Sequence, residues 1–203
     1  MPPSAPRVAS ARSVETDLAS VSEHPGKAEA IRLGASVFGW QLCLGKKGGG
    51  EVGSGWKGKG STVHLLTDGE GIPLAATVRS VLVHEQRMAL TVVDQVRVPQ
   101  QRGRPKQRPK TLAADRGYDS GALRAALRSR GIRPSIPQRR WPGKFRRRQS
   151  LHAASAARWI VERTHAWLDN WRRLVVRWER SVQNYMAFLA IACFMTCLRR
   201  ILG

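Results

Sequence analysis

Acidic residues are scarce in this 203-residue chain. Only 14 Asp and Glu stand against 35 Lys and Arg, for a formal net charge of +21. The imbalance is uneven. Residues 1–98 carry 11 basic and 9 acidic side chains, a net of +2, whereas residues 99–203 carry 24 and 5, a net of +19. Solubility does not require one sign of charge, since mixed charge supplies it. A half-chain this basic points to a polyanionic partner, and nucleic acid is the usual one. Cysteine is scarce too. Cys43, Cys193 and Cys197 form no Cys-x-x-Cys pair, so buried, reduced thiols are expected, as in a cytoplasmic chain. No apolar run reaches the roughly 20 residues of a membrane span. The longest, YMAFLAIACFMTCL, has 14 and reads as a buried helix. The opening residues MPPSAPRVASARSVETD contain no apolar core segment, so no signal peptide is expected. The phosphate-cradling pattern GxxxxGK[ST] is also absent.

The length suits one domain with a real core, or one domain plus a tail. Residues 1–36 are polar and without clear period, and read as a disordered or degenerate tail before a domain spanning 37–203. SVFGWQLCLG, from Ser36 to Gly45, reads as a strand. Lys46 to Gly60 holds seven glycines and four lysines, which suggests a flexible basic loop. STVHLLTD and GIPLAATV flank DGEG and predict a β-hairpin with Asp68 in its turn. HEQRMALTVVDQV predicts a helix, and PQQRGRPKQRPK a basic connector.

TLAAD then predicts a short strand ending at Asp115. SGALRAALRSRG predicts a helix with Asp119 as N-cap and Gly131 beyond its end. IRPSIP is an edge strand at best, given its two prolines. QRRWPGKFRRRQS has six basic residues and two aromatics, and reads as a basic arm. A long helix is expected over about 153–180. On it Ile160, Thr164, Trp167, Leu168, Trp171, Leu174 and Val175 share an apolar side, opposite Arg158, Glu162, His165 and Asp169. A last helix, about Val182 to Leu202, is apolar nearly all round. The order defines an α/β fold, a ribonuclease-H-like mixed sheet with flanking helices and long C-terminal helices.

In so basic a chain the acids draw notice. Two-metal phosphoryl transfer needs two ions about 4 Å apart, held by carboxylates brought from distant parts of the chain. Mg²⁺ takes only one or two protein carboxylates per ion. Beyond residue 98 the acids are Asp115, Asp119, Glu162, Asp169 and Glu179. Asp115 at a strand end and Glu162 on a helix are the candidate pair. Two plainer roles compete with this one. Asp115 could simply open a turn, and Glu162 could simply pair with Arg158 four residues earlier.

LAADRGYDSGALRAALRSRGI, together with ARWIVERTHAWLDNWRRLVVRWERSVQNYMAFLAIACFMTCLRRIL, resembles the C-terminal part of insertion-sequence transposases with a DDE catalytic core. The upstream KGKGSTVHLLTDGEGIPLAATV is similar to the hairpin segment of that family. The resemblance covers roughly residues 45–202. It implies that Asp115, before RGYD, is the second catalytic and metal-binding acid, and that Glu162, within VERT, is the third. Arg158 matches the family's Arg four residues before the Glu. Ser155 stands where Tyr is common, and Asp169 where a basic residue is expected. The largest departure lies upstream. The first catalytic Asp belongs on the opening strand, and counting back from KKGGG places Gly39 about there.

The resemblance implies a DNA transposase that cleaves phosphodiesters and transfers strands with Mg²⁺ (or Mn²⁺), if active. Its partners would be double-stranded DNA and further copies of itself, in the bacterial cytoplasm beside the nucleoid, with no membrane. Arg139, Arg140, Lys144, Arg146, Arg147, Arg148 and Arg158 would grip phosphates. Trp141 and Phe145 would either stack on an unpaired base or pack. Two other readings stand beside this one: an inactive remnant that only binds DNA, and a basic RNA-binding or structural protein.

Overall fold

The computed structural model describes residues 33–100, 102–138 and 151–202. The chain opens with β1 (Ala35–Gly45), followed by β2 (Gly53–Gly55), β3 (Gly58–Asp68) and β4 (Pro73–Ser80). Helix α1 (Glu85–Asp94) crosses to β5 (Thr111–Ala113). A 3-10 turn at Arg116–Tyr118 then leads to α2 (Gly121–Ser129) and β6 (Arg133–Ser135). Helix α3 (Leu151–Asp169), the short α4 (Arg172–Val175), the two-residue β7 (Val176–Arg177) and α5 (Val182–Leu202) complete it.

The seven strands form one mixed sheet. Across it run β4, β3, β1, β5 and β6, with β2 extending β3 and β7 extending the far edge of β1. The meander β1–β3–β4 is antiparallel, while β5 joins β1 and β6 joins β5 in parallel. The α/β class, the mixed ribonuclease-H-like sheet and the long C-terminal helices are therefore as the sequence predicts.

Alternation along β1 feeds two cores, because successive side chains leave a strand on opposite faces. Phe38 joins Leu66, Val92, Leu112, Leu127 and Ile132 on one face. Val37 and Cys43 join Leu65, Val161, Leu168 and Leu189 on the other. β3 is paired on both edges, so Ser61 to Asp68 are all buried. Asp68 is a turn residue as expected: its Oδ1 accepts from the Glu70 and Ile72 amides at 2.9 and 2.8 Å. Gly71, at φ +87°, closes that hairpin in a conformation L side chains rarely adopt.

Four local expectations need correction. Lys46 to Gly60 is not all loop, since β2 pairs with Gly58–Gly60 as a tight hairpin. Ser120, not Asp119, caps α2, accepting from the Leu123 amide, whereas Asp119 accepts two bonds from Arg124. The predicted helix over 153–180 stops at Asp169, because Val176–Arg177 leaves to pair with Leu44–Gly45. Arg177 drives that exit. It is fully buried, and its guanidinium donates to the Ser61 hydroxyl at 2.6 Å and to the Gly50, Glu179 and Arg180 carbonyls. A buried cation must find such acceptors, and helical continuation would not supply them. Lastly, the buried stripe of α3 is Val161, Thr164, His165 and Leu168, so His165 faces the core rather than solvent.

Cys43, Cys193 and Cys197 are buried free thiols, as expected. Burial pushes the Cys197 thiol up to about 12. Helix α5 keeps one face, with Tyr185, Leu189, Ala192 and Cys193, against the second core. Phe188, Ile191 and Leu202 are exposed, so it is only half a buried helix. By length and composition alone, its segment Val182–Arg200 is apolar enough to cross a membrane.

Candidate functional site

The register of the sheet sets the site. Ala35–Val37 pair in parallel with Thr111–Ala113. The chain that continues past Ala113 therefore runs alongside Phe38 and Gly39 and delivers Asp115 there. Helix α3 crosses the same strand, with Val161 lying over Gly39. A Cβ built on Gly39 would stand 2.7 Å from Val161 Cγ1 and 3.0 Å from Cγ2. The result is a cavity of about 330 Å³ whose walls include Gly39, Trp40, Gln41, Lys57, Asp115, Arg158, Glu162 and His165. The two candidate acids, 47 residues apart in sequence, thus share one cavity with the position where the third was expected.

Each acid has a local role as well. Asp115 caps the 3-10 turn, its Oδ1 accepting from the Gly117 amide at 2.6 Å. Asp115 thus lies two residues beyond the β5 strand and starts a turn. Glu162 accepts from Arg158 Nε at 2.8 Å, and both side chains are more than half exposed. Such an exposed i,i+4 pair contributes only a few tenths of a kcal/mol, so it does not lock the carboxylate. Asp169, which stands where a basic residue was expected, accepts two bonds from Gln41 Nε2, each 2.8 Å, and ties the end of α3 to β1.

Two nearby residues were not singled out from sequence. Glu85 opens α1, and the next residue, Gln86, donates to the Gly117 carbonyl at 2.6 Å, which docks that helix start on the Asp115 turn. Burial, and then the Asp115 carboxylate, push the Glu85 carboxyl up; Lys57, His84 and Trp40 act against this. An acid in a helix's first turn looks like a response to the helix dipole, so sequence gave no reason to link it to Asp115. The helical period places His165 opposite the apolar stripe, whereas the structure buries it. Its Nε2 is buried with no hydrogen-bond partner among the described residues, and burial lowers its pKa to about 4. The expected phosphate-gripping residues Arg139, Arg140, Lys144, Arg146, Arg147 and Arg148, with Trp141 and Phe145, lie outside the described residues. Arg158 is described and exposed beside Glu162.

Among the described residues, no group of three His, Cys, Asp or Glu side chains is close enough to hold a metal ion. Position 39 offers no side chain. Glu51, Asp68 and Glu70, the acids of the meander, do not line the cavity; Glu51 pairs with Arg79 and accepts from the Ser80 amide. The residues present therefore do not fit a complete two-ion centre.

A mixed α/β sheet with a strand-end acid and a helix acid on one cleft is a ribonuclease-H-like arrangement. Sequence comparison supplies the family. The profile described as Transposase DDE domain matches residues 37–197, and the chain belongs to that family. A Burkholderia cepacia protein named as a transposase for insertion sequence element IS402 is 42% identical over 141 residues, covering 68% of this chain and 63% of that relative. The match thus spans less than two thirds of the relative's length. Two solved structures are partly similar. One is the simian T-cell lymphotropic virus intasome in complex with PP2A regulatory subunit B56 gamma (13% identity, TM-score 0.49, 81% of this chain and 48% of that one). The other is the piggyBac transposase synaptic complex with hairpin DNA (10%, TM-score 0.46, 82% and 46%). Transposases of the DDE family generally use divalent metal ions.

Proposed function

We propose that this chain grips double-stranded DNA and presents Asp115 and Glu162 to a phosphodiester, but that it cuts no strand at a measurable rate because position 39 carries no acid. The observation that supports this is the shared cavity, with two carboxylates on its wall and Gly39 where a third would stand. In a full transposase such acids would hold Mg²⁺ or Mn²⁺, which activates the attacking oxygen and stabilises the leaving one. Here Asp115 is oriented by the Gly117 amide and Glu162 is countered by Arg158. Losing one metal-binding carboxylate should cost several orders of magnitude in rate. The domain would be residues 37–203, working in the cytoplasm on chromosomal or element DNA, with further copies of itself as partners.

The test has two arms. Binding to duplex DNA should weaken steeply with salt, because each neutralised phosphate releases counterions. Replacing Arg146, Arg147 and Arg148 with Ala should weaken binding to all sequences alike and reduce the log–log salt slope by about 2 to 3, at roughly 0.9 per phosphate contact. An unchanged slope in a filter-binding titration would sink the role of the arm. In the second arm, a plasmid bearing the element ends is incubated with Mg²⁺ or Mn²⁺. No nicking is expected. Nicking that disappears with Glu162→Gln would show that the chain is a complete enzyme.

A further inference from the structure

The tight β2–β3 hairpin carries Trp56 and Lys57 in its two-residue tip, between the paired Gly55 and Gly58. Gly58 has φ +123°, so the turn depends on glycine. Trp56 is 92% exposed, the most exposed of the large apolar side chains among the described residues. Single exposed apolar residues are ordinary, but this one belongs to a stack. Lys57 Nζ lies 4.9 Å from the Trp56 ring centroid and 4.1 Å from that of Trp40. Trp40 and Lys57 in turn line the cavity that holds Asp115 and Glu162. An indole, an ammonium and a second indole therefore lead from solvent to the acids. Lys57 forms no ion pair within 4 Å among the described residues, and Lys59 adds a second exposed cation on the same hairpin.

We infer that this hairpin tip is a docking site for an unpaired nucleobase of the DNA strand entering the cavity, with Trp56 stacking on the base and Lys57 taking the adjoining phosphate. The inference rests on the proposed DNA-binding function. The partner's chemistry follows from the tip itself. A flat, solvated π-face binds another π-face, and an adjacent ammonium adds charge that suits a phosphodiester. Within duplex DNA both faces of each internal base are already stacked, so only an unpaired base offers a free one. Stacking of this kind is worth about 5- to 150-fold in affinity per base. The net charge of +21 makes a polyanion the complementary occupant rather than a second copy of this basic chain.

The experiment compares the full chain with two DNAs at one fixed salt: a blunt duplex, and the same duplex with a two-nucleotide unpaired overhang. The wild-type chain should prefer the overhang by about 5-fold or more. Trp56→Ala should abolish the preference while leaving blunt-duplex affinity within about 2-fold, on that same stacking role. Trp56→Phe, which keeps an aromatic face, should retain most of it. Lys57→Gln should weaken binding to the overhang DNA and lower its salt slope by about one. Equal loss on both DNAs with Trp56→Ala, or no loss, overturns the inference even when duplex binding is intact. So does a Trp56→Ala change confined to oligomeric state in analytical ultracentrifugation, which would assign the tip to a protein contact. Failure of the wild-type chain to bind either DNA would overturn the DNA-binding proposal, and this inference with it.

Discussion

Gly39→Asp should lower the stability of the chain by about 1–3 kcal/mol, the usual cost of forcing extra atoms into a packed site. In a domain of this size that is a fall of about 2–12 °C in Tm. A Cβ at position 39 would stand 2.7 and 3.0 Å from the two methyl carbons of Val161. Those methyls sit on a β-branched side chain in the middle of α3, and a branched residue in a helix has essentially one rotamer. The helix must shift, or the new side chain must distort. Val161→Ala removes both methyls, so the double variant Gly39→Asp/Val161→Ala should regain at least half of the lost stability relative to Val161→Ala alone. It should also bind Mn²⁺ measurably in calorimetry, because it places a third carboxylate in the cavity of Asp115 and Glu162. The unmodified chain should bind Mn²⁺ far more weakly. A Gly39→Asp variant as stable as the parent would show that the wall is not closed over the missing side chain. A Gly39→Asp cost that is unchanged in the Val161→Ala background would show the same.

That wall illustrates what a sequence can reveal and what it cannot. Only the family resemblance raises the expectation of an acid on the opening strand before KKGGG, whereas Asp115 is legible as the end of a short apolar run. Their meeting depends on parallel pairing between β1 and β5, which are joined only through the meander and α1. The hairpin of β3 and β4 is legible because two apolar runs flank Asp-Gly, a turn signal with a local cause. Helix α5 was legible end to end because its apolar run is long. Helix α3 was not. Trp171, Leu174 and Val175 keep the helical period beyond Asp169, yet the chain leaves the helix so that Arg177 can reach Ser61 and Gly50 across the sheet. Tertiary acceptors overrode local propensity, and nothing near Arg177 in sequence announces them. The β2 strand was hidden for a related reason: its glycines carry no side-chain pattern, and only its neighbour β3 defines it. Glu85 was hidden by its position, where an acid at a helix start has an ordinary explanation.

Mild acid should destabilise the chain. His64 and His165 are both buried, and both are held near pKa 4. For His64 burial is the main cause, with the charges of His165 and Arg79 adding to it. Burial accounts for His165. His64 stacks on Phe38, at 6.2 Å between ring centroids, with neither ring nitrogen bonded among the described residues. Each imidazole is therefore neutral in the folded chain, whereas in the unfolded chain it titrates near 6.5. Between those values the unfolded state binds the extra proton, so stability is complete above about pH 6.5 and declines as pH falls toward 4. At pH 5 the loss is about 2 kcal/mol for each histidine, or about 4 kcal/mol together. That is a large share of the 5–15 kcal/mol typical of a folded domain. Urea unfolding at pH 7.5 and pH 5.0 measures it. His64→Leu and His165→Leu should each remove about half of the difference between the two pH values, whatever they do to stability at pH 7.5. Equal stability at both pH values would refute the assignment of the histidines, and so would a leucine variant that keeps the full pH dependence.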